Sequence, residues 1–211
     1  MAWDSGYFRL FISHVSAYRV EASQVATWLR DGYGIHGFVA HADINPSAEW
    51  QDEIENSLRT MDALLALLSP GFSASLWCNQ EVGWALGRPS LALSVRLGEV
   101  PPGFAGKFQA IPGGEDDQFG VAQKVFEALA VNPATAERVG VAVSMFMRRA
   151  RTWEQVQDYI VPAFNHVTQF TDEALDNLLA AFNENDHVRT SHYVGNIRAR
   201  LIASGRTVPK A

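Results

Sequence analysis

The sequence predicts an α/β fold in which a five-stranded parallel sheet, covered by helices, is followed by an α-helical segment. The first indication is the alternation of apolar strands with amphipathic helices up to residue 131. The second is the run Ala63–Leu68, which contains only Ala and Leu and is typical of a strand buried on both faces. The third is that residues 133–211 show helical spacing alone. Strands separated by helices form right-handed crossovers, which produce a parallel sheet.

The elements of the predicted sheet follow one another in a simple order. The strands are expected at residues 7–12, 36–41, 63–68, 91–95 and 107–111. The intervening helices carry apolar residues at spacings of three and four, and they are expected at 17–31, at 46–61, after Ser73 or Ser75, and at 117–131. Asn45 and Pro46 are a cap and a first residue typical of the second helix.

Five strands joined in this way favour a flavodoxin-like order, in which the first strand lies beside the third at the switch point of the sheet. Ligands of such folds bind there, outside the carboxyl ends of the strands. The loops that follow the first, second and third strands meet at this rim. The topology therefore predicts a pocket bordered by Phe11, Ser13, His14, Asp43, Trp77 and Glu81.

Trp77, Glu81 and Trp84 share one face of the helix after the third strand, because their spacings are four and three. One interpretation is a packed aromatic face with a solvated carboxylate at its edge, since Trp at helical spacing is usually part of a core. The other is a ligand site, since this helix begins at the rim where the fold predicts a pocket. Spacing alone favours the first interpretation, and position in the fold favours the second.

Composition limits the class of protein. The chain has 211 residues, 47% of them hydrophobic, which is enough for one large domain or for a medium domain with an appendage. Its formal charge of -6 gives no general affinity for nucleic acid or anionic membranes. Cys78 is the one cysteine, so no disulfide forms within the chain. No signal-peptide pattern or membrane-length apolar run is present, and we expect a cytoplasmic protein without membrane or nucleic-acid partners.

Several chemistries find no support in the residues. The histidines and the single cysteine lack the spacing of a zinc site, so we expect no metal. No phosphate-binding loop or Gly-rich dinucleotide fingerprint follows the first strand. Cys78 has no evident partner for nucleophilic catalysis, and a small packed thiol is the preferred interpretation.

Three segments, taken in order and with their spacing, resemble a bacterial TIR domain, the Toll/interleukin-1 receptor type. Phe11-Ile-Ser-His14 is similar to the first box of that family. Asp43-Ile-Asn-Pro-Ser-Ala-Glu-Trp50 is similar to the loop after its second strand and to the helix that follows. Ser75-Leu-Trp-Cys-Asn-Gln-Glu81 is similar to the segment that holds its Trp-x-x-x-Glu motif. The resemblance covers residues 7–131.

The resemblance implies an enzyme that uses NAD as its substrate and needs no cofactor. TIR domains of this kind commonly cleave the bond between nicotinamide and ribose, and some convert the remainder into a cyclic ADP-ribose. By resemblance, Glu81 is the catalytic carboxylate. A carboxylate suits this chemistry because the bond breaks through an oxocarbenium-like state. Trp77, one turn earlier, offers an aromatic surface to a cationic pyridinium or to a base.

The other expected substrate-binding residues have less specific roles. Ser13 and His14 are candidates for hydrogen bonds to ribose or phosphate, and Phe11 borders the same pocket. For His14, a surface loop residue without a ligand is an equally good interpretation. Asp43 either contacts the substrate or shapes the loop in which it lies.

Two classes of function compete. The resemblance to Thoeris-type TIR proteins implies an NAD-consuming enzyme of bacterial antiphage defence, with self-association through the TIR domain and a downstream effector that senses the product. The alternative is a non-catalytic TIR adaptor that acts by TIR–TIR association. The Trp77/Glu81 pair favours the enzyme, because an adaptor has no need of it.

The carboxyl-terminal part of the chain is expected to form a separate helical extension. We place the TIR domain at residues 1–132 and the extension at 133–211, with Asn132-Pro133 as the boundary. Helices are expected at 134–149, from Trp153 to Pro162, after a Thr171 cap, and near 194–202. The extension carries nine basic and eight acidic residues. Because its charge is nearly balanced, a protein-contact or self-assembly module is favoured over a nucleic-acid-binding one.

Overall fold

The computed structural model describes residues 3–39, 48–107, 109–114 and 116–208. Its five-stranded sheet has the order β2-β1-β3-β4-β5, which confirms the predicted flavodoxin-like order. The strands are β1 Phe8–Ser13, β2 Ile35–Val39, β3 Ala63–Leu68, β4 Leu91–Arg96 and β5 Ile111–Pro112. β3 pairs in parallel with both β1 and β4, and β4 pairs in parallel with β5.

Helices connect these strands as the apolar spacing predicts. They are α1 Arg19–Tyr33, α2 Ala48–Thr60, α3 Leu76–Leu86 and α4 Gln118–Val131. A short 3-10 helix, Ser16–Tyr18, leads into α1, and another, Phe72–Ala74, precedes α3. The predicted start of α2 at Asn45 and Pro46 lies outside the described residues.

β3 forms the centre of the sheet, and all six of its residues are buried. Alternate residues of a strand face opposite sides of the sheet. Leu64, Ala66 and Leu68 therefore share one face, where they pack in a single cluster with α2 and α3. The helix residues of this cluster are Ile54, Leu58, Cys78, Val82 and Ala85. This packing brings α2 and α3 to the same face of β3.

Gly37 in β2 shows how closely α1 packs against the opposite face. A Cβ atom at this position would lie 2.7 Å from Cδ1 of Ile12 and 2.9 Å from Cβ of Ala26. Neither distance leaves room for a carbon atom, so only glycine permits this approach. The apolar side of α1, with Ala22 and Leu29, is buried as its spacing predicts.

The fifth strand differs from its predicted position. We expected it at residues 107–111, but Gly103–Lys107 forms a 3-10 helix and β5 contains only Ile111 and Pro112. Val95 and Arg96 of β4 are their partners. Proline is tolerated here because β5 lies at the edge of the sheet. A strand of two residues has no alternation of polar and apolar side chains, so periodicity could not locate it.

The carboxyl-terminal region is helical, as predicted. Its helices are α5 Ala136–Arg148, a π-helix Gln155–Ile160, α6 Val161–His166, α7 Asp172–Glu184, α8 Asp186–Arg189 and α9 Val194–Ala203. The Thr171 hydroxyl accepts a hydrogen bond from the Ala174 amide at 3.3 Å, which confirms the predicted cap of α7. We expected a helix to end at Pro162, but Pro162 lies in the first turn of α6. Proline fits there because the first-turn amides of a helix have no intrahelical acceptor.

The chain consists of two compact units. One consists of Met1–Ser5, Arg9–Arg30 and Ile35–Phe126, and the other of Gly6–Phe8, Asp31–Gly34 and Glu127–Ala211. The first unit holds most of the sheet with α1, α2 and α3, and the second holds α5 to α9. The domain boundary between residues 132 and 133 stays a prediction.

Among the described residues, every helix is too short or too polar to cross a bilayer.

Candidate active site

A cavity of about 480 Å³ opens at the carboxyl ends of β1 and β3, where the strand order places the switch point. Its wall combines the segment after β1, the loop between β3 and α3, and side chains of α2 and α3. Residues that line it include His14, Ser16, Ile54, Gly71, Trp77 and Glu81. The position of the cavity agrees with the pocket predicted from topology.

The start of α3 is fixed by side chains of the loop and of the helix itself. The Ser75 hydroxyl accepts a hydrogen bond from the Cys78 amide at 3.3 Å, so Ser75 is the cap of α3. The Asn79 amide nitrogen donates to the carbonyl oxygens of Ser73 and Ser75 at 2.9 and 2.8 Å. Gly71 has a φ of 92°, a backbone conformation that glycine adopts without strain.

A carboxylate from the β4 side holds the same loop. Glu99 accepts hydrogen bonds from the Gly71 amide at 2.6 Å and from the Ser73 amide at 2.9 Å. Hydrogen bonding from Ser73, and then from the Gly71 backbone, lowers the pKa of Glu99. Because Gly71 lines the cavity, Glu99 helps to fix the shape of the cavity wall without lining it.

Glu81 lies at the wall of the cavity and is only 7% exposed. The Ser13 hydroxyl, itself buried at the end of β1, donates a hydrogen bond of 2.5 Å to Oε2 of Glu81. Burial raises the pKa of Glu81 to about 7, and the hydrogen bond from Ser13 opposes this effect. The carboxyl group therefore changes charge near neutral pH instead of near 4.5, its ordinary value.

Cys78 links α3 to the segment after β1. Its thiol donates to the carbonyl oxygen of His14 at 3.4 Å, and the side chain is 2% exposed. Burial raises the pKa of the Cys78 thiol, so the reactive thiolate is disfavoured. Nδ1 of His14 lies 3.1 Å from the carbonyl oxygen of Ile12, which turns the ring back towards β1. These contacts support the interpretation of Cys78 as a packed thiol.

Trp77 contrasts with Glu81, one helical turn away. Its side chain is 50% exposed and lines the cavity, whereas the carboxylate is buried. A second, smaller cavity also borders Glu81, and Trp77 and Trp84 both line it. The predicted arrangement of one carboxylate between two indoles is thus present, but the carboxylate is buried and the indoles are exposed.

The predicted site residues divide into three groups. His14, Trp77 and Glu81 line the cavity. Ser13 and Phe11 are buried behind it: Ser13 contacts Glu81, and the Phe11 ring lies 5.4 Å from that of Phe38 in the core. Direct contact of these two with substrate stays a prediction. Asp43 lies outside the described residues.

The structure adds lining residues that the sequence did not single out. Ser16 follows the predicted first box, Pro70 and Gly71 lie in the loop after β3, and Ile54 reaches the cavity from α2. The Pro-Gly pair directly after a buried strand was a usable signal for the loop, because such loops meet at the rim. No comparable signal existed for Ile54, whose spacing indicates a core residue.

The arrangement supplies one buried carboxylate, an exposed indole and polar groups near the positive end of a helix. These groups suit stabilisation of a cationic centre in a polar organic ligand. In the described part of the chain, no group of three or more His, Cys, Asp or Glu side chains could hold a metal ion.

Comparison with known proteins identifies the amino-terminal region. A family model described as TIR domain matches residues 10–123, which is more than half of the chain. Neither a curated protein nor a solved structure shows significant similarity. The matched region contains the five-stranded sheet from Leu10 onwards and all the described residues that line the cavity. On this evidence, the chain belongs to the TIR domain family.

Proposed function

We propose that this protein cleaves the bond between nicotinamide and ribose in NAD and releases nicotinamide with ADP-ribose or a cyclic ADP-ribose isomer. Members of the TIR domain family include NAD-cleaving enzymes and adaptors. The observation that carries the proposal is the buried carboxylate of Glu81, which lines a cavity of about 480 Å³ and accepts a hydrogen bond from Ser13.

In the proposed reaction the bond between C1′ of the ribose and the pyridinium nitrogen breaks. Its electron pair moves to nitrogen, so nicotinamide leaves as a neutral molecule and positive charge develops at C1′. The ionised carboxylate of Glu81 stabilises this charge. Water then bonds to C1′ and loses a proton to solvent, which gives ADP-ribose. When a nucleophilic atom of the same nucleotide bonds to C1′ instead, the product is cyclic.

Two further features support this reaction. Trp77 is half exposed at the cavity and offers its ring to the cationic pyridinium, an interaction worth roughly 1–2 kcal/mol when desolvated. The amino-terminal end of α3, capped by Ser75, faces the same cavity and favours the negative charge of a pyrophosphate. Together they complement the cationic nicotinamide and the anionic pyrophosphate of NAD.

The competing proposal is a non-catalytic TIR adaptor. An adaptor gains nothing from a carboxylate that is buried beside an exposed indole, since burial of an ionisable group costs stability. We therefore prefer the enzyme. Its resemblance to Thoeris-type proteins supports a role in bacterial antiphage defence, with an effector that responds to the product.

The test is to incubate the purified protein with NAD and to resolve the products by chromatography. We expect release of nicotinamide, and we expect Glu81→Gln to lower the rate by roughly two or more orders of magnitude, because the key electrostatic group is lost. Leu76→Ala, an exposed position on the same helix, is the matched control and should keep the parent rate. A Glu81→Gln variant that cleaves NAD at the parent rate would refute the assignment.

We also propose that activity depends on self-association. Among the described residues that line the cavity, none is Lys or Arg, so a second copy that completes the wall would help to hold the pyrophosphate. Specific activity is therefore expected to rise with protein concentration. Constant specific activity from nanomolar to high micromolar protein, in a sample shown to be monomeric, would contradict the shared site and leave the role of Glu81 intact.

A further inference from the structure

A second cavity, of about 230 Å³, lies between α2 and α3. It shares Ile54, Trp77 and Glu81 with the larger cavity. Trp84 and Gln80 of α3 complete the wall that faces α2. Glu81 therefore lies at the boundary between two cavities and belongs to the wall of both. We call the second one the α2–α3 cavity.

The α2–α3 cavity suits a flat aromatic ring. Trp77 and Trp84 are seven residues apart, which places them on one side of α3, and they are 50% and 37% exposed. Indole rings bind flat heteroaromatic groups by stacking and bind cationic ones by cation–π attraction. The exposed amide of Gln80 lies between the two indoles in sequence and can exchange hydrogen bonds with a carboxamide.

Glu55, one of the two carboxylates in the wall of this cavity, is paired with a cation. Arg59 and Glu55, one turn apart on α2, form a salt bridge of 3.2 Å. The Arg59 guanidinium also lies 6.0 Å from the centre of the Trp84 ring, where it covers part of that ring. With this pair balanced and the Glu81 carboxylate also in the wall, the cavity disfavours an anion such as phosphate. The rest of its described wall consists of the two indoles, the amides of Gln51 and Gln80, and the aliphatic side chains of Ile54 and Leu58.

The two cavities differ in size, as do the two parts of NAD that cleavage separates. The bond to be cleaved must lie at Glu81, and both cavities border this residue, so the two parts of the substrate can each enter a different cavity. One part, ADP-ribose, is large and anionic and fits the cavity of about 480 Å³ at the start of α3. The other part is a single ring with a carboxamide, which matches the cavity of about 230 Å³.

We propose that the α2–α3 cavity is the subsite for the leaving base, with the nicotinamide ring against Trp77 and Trp84 and its carboxamide at Gln80. This inference rests on the proposed NAD cleavage and assigns one cavity to each half of the substrate. It makes Trp84 and Gln80 specificity residues for the base.

The test measures binding of two separate probes, nicotinamide alone and ADP-ribose alone, to the full-length chain by ligand-detected NMR. Four proteins are compared: the parent, Trp84→Ala, Trp84→Phe and Trp28→Ala. Trp28 on α1 is the matched control because it is also 37% exposed and lines neither cavity. Trp84→Phe keeps an aromatic ring and tests whether any loss is due to stacking rather than to misfolding.

We expect Trp84→Ala to weaken nicotinamide binding by about five- to tenfold, in line with the loss of one aromatic contact. ADP-ribose affinity should be unchanged, Trp84→Phe should retain most of the nicotinamide affinity, and Trp28→Ala should alter neither. Parent-like nicotinamide binding by Trp84→Ala, or an equal loss for both probes, would overturn the subsite.

NAD cleavage by the same parent sample tests the proposed function separately. A parent that cleaves NAD, together with a Trp84→Ala variant that binds nicotinamide normally, overturns the subsite alone. A parent that binds nicotinamide through Trp84 but does not cleave NAD even at high micromolar protein overturns the proposed function alone.

Discussion

α3 and α7 are helices of similar length that differ in which side chains they bury. α7 buries its apolar residues and exposes its carboxylates: Leu175, Leu178 and Phe182 are inside, and Asp172, Glu173 and Asp176 are outside. α3 buries a carboxylate, Glu81, and exposes two indoles, Trp77 and Trp84. Packing explains the sequence of α7, whereas packing alone does not explain that of α3.

The difference indicates that the side chains of α3 make the folded state less stable than well-packed apolar residues would. Burial of an ionisable group disfavours its charged form, and Glu81 shows this effect through its raised pKa. Large apolar side chains left in water forgo the free energy that burial would provide. Such exceptions concentrate at functional sites, because binding and catalysis require groups that packing would not choose.

The comparison predicts opposite effects of substitution on stability. Leu178 is fully buried, so Leu178→Ala should lower the free energy of unfolding by about 2–5 kcal/mol. At Glu81 the pKa is raised from 4.5 to about 7, so the unfolded chain gives up this proton at a lower pH than the folded chain does. Stability therefore falls as the pH rises through this range, and the ionised group costs about 3 kcal/mol above it.

Glu81→Gln removes that cost and should raise the free energy of unfolding by up to about 3 kcal/mol at pH values above about 7. The gain should vanish below pH 4.5, where the parent carboxyl is protonated in both states. Urea denaturation of the parent, Glu81→Gln and Leu178→Ala at both pH values measures these effects. A Glu81→Gln variant less stable than the parent at high pH would show that the carboxylate stabilises the fold.

Trp77→Ala should produce a smaller effect, and on activity instead of stability. Removing an exposed ring loses little burial, but it removes the surface offered to the pyridinium, worth roughly 1–2 kcal/mol. We expect about a tenfold lower kcat/KM for NAD and a changed ratio of cyclic to linear product. Trp28→Ala serves as the control for loss of an indole elsewhere. Unchanged rate and unchanged product ratio would remove Trp77 from the site.

Much of the fold could be predicted because it follows from local patterns. The alternation of strands and helices gave the strand order, and the apolar run of β3 gave its burial. Serine before the Trp77 helix and Thr171 before α7 are caps whose side chains act within one turn. The position of β5 was predicted wrongly because only two of its residues pair, and their partners lie in β4, distant in sequence.

The location of the candidate site could be predicted from the sequence, but the burial of its residues and the shape of its cavities could not. Spacing placed Glu81 on the same helix face as two indoles, and the strand order brought that helix to the rim. The burial of Glu81 depends on contacts with Ser13, which is 68 positions earlier in the chain. The α2–α3 cavity depends likewise on how two helices pack over β3. Neither arrangement leaves a signal in local periodicity.

The central claim is that the buried carboxylate of Glu81, in its ionised form, carries out the chemistry. The most direct test compares the pH dependence of kcat/KM for NAD with the titration of Glu81 followed by NMR in glutamate-labelled protein. The account predicts that the rate rises with pH and that both midpoints lie at about 7. It also predicts that Ser13→Ala moves both midpoints upward together, by about one pH unit, because the hydrogen bond to the charged form is lost. A rate that is independent of pH across this range, or a rate midpoint that stays in place while the titration of Glu81 moves, would contradict it.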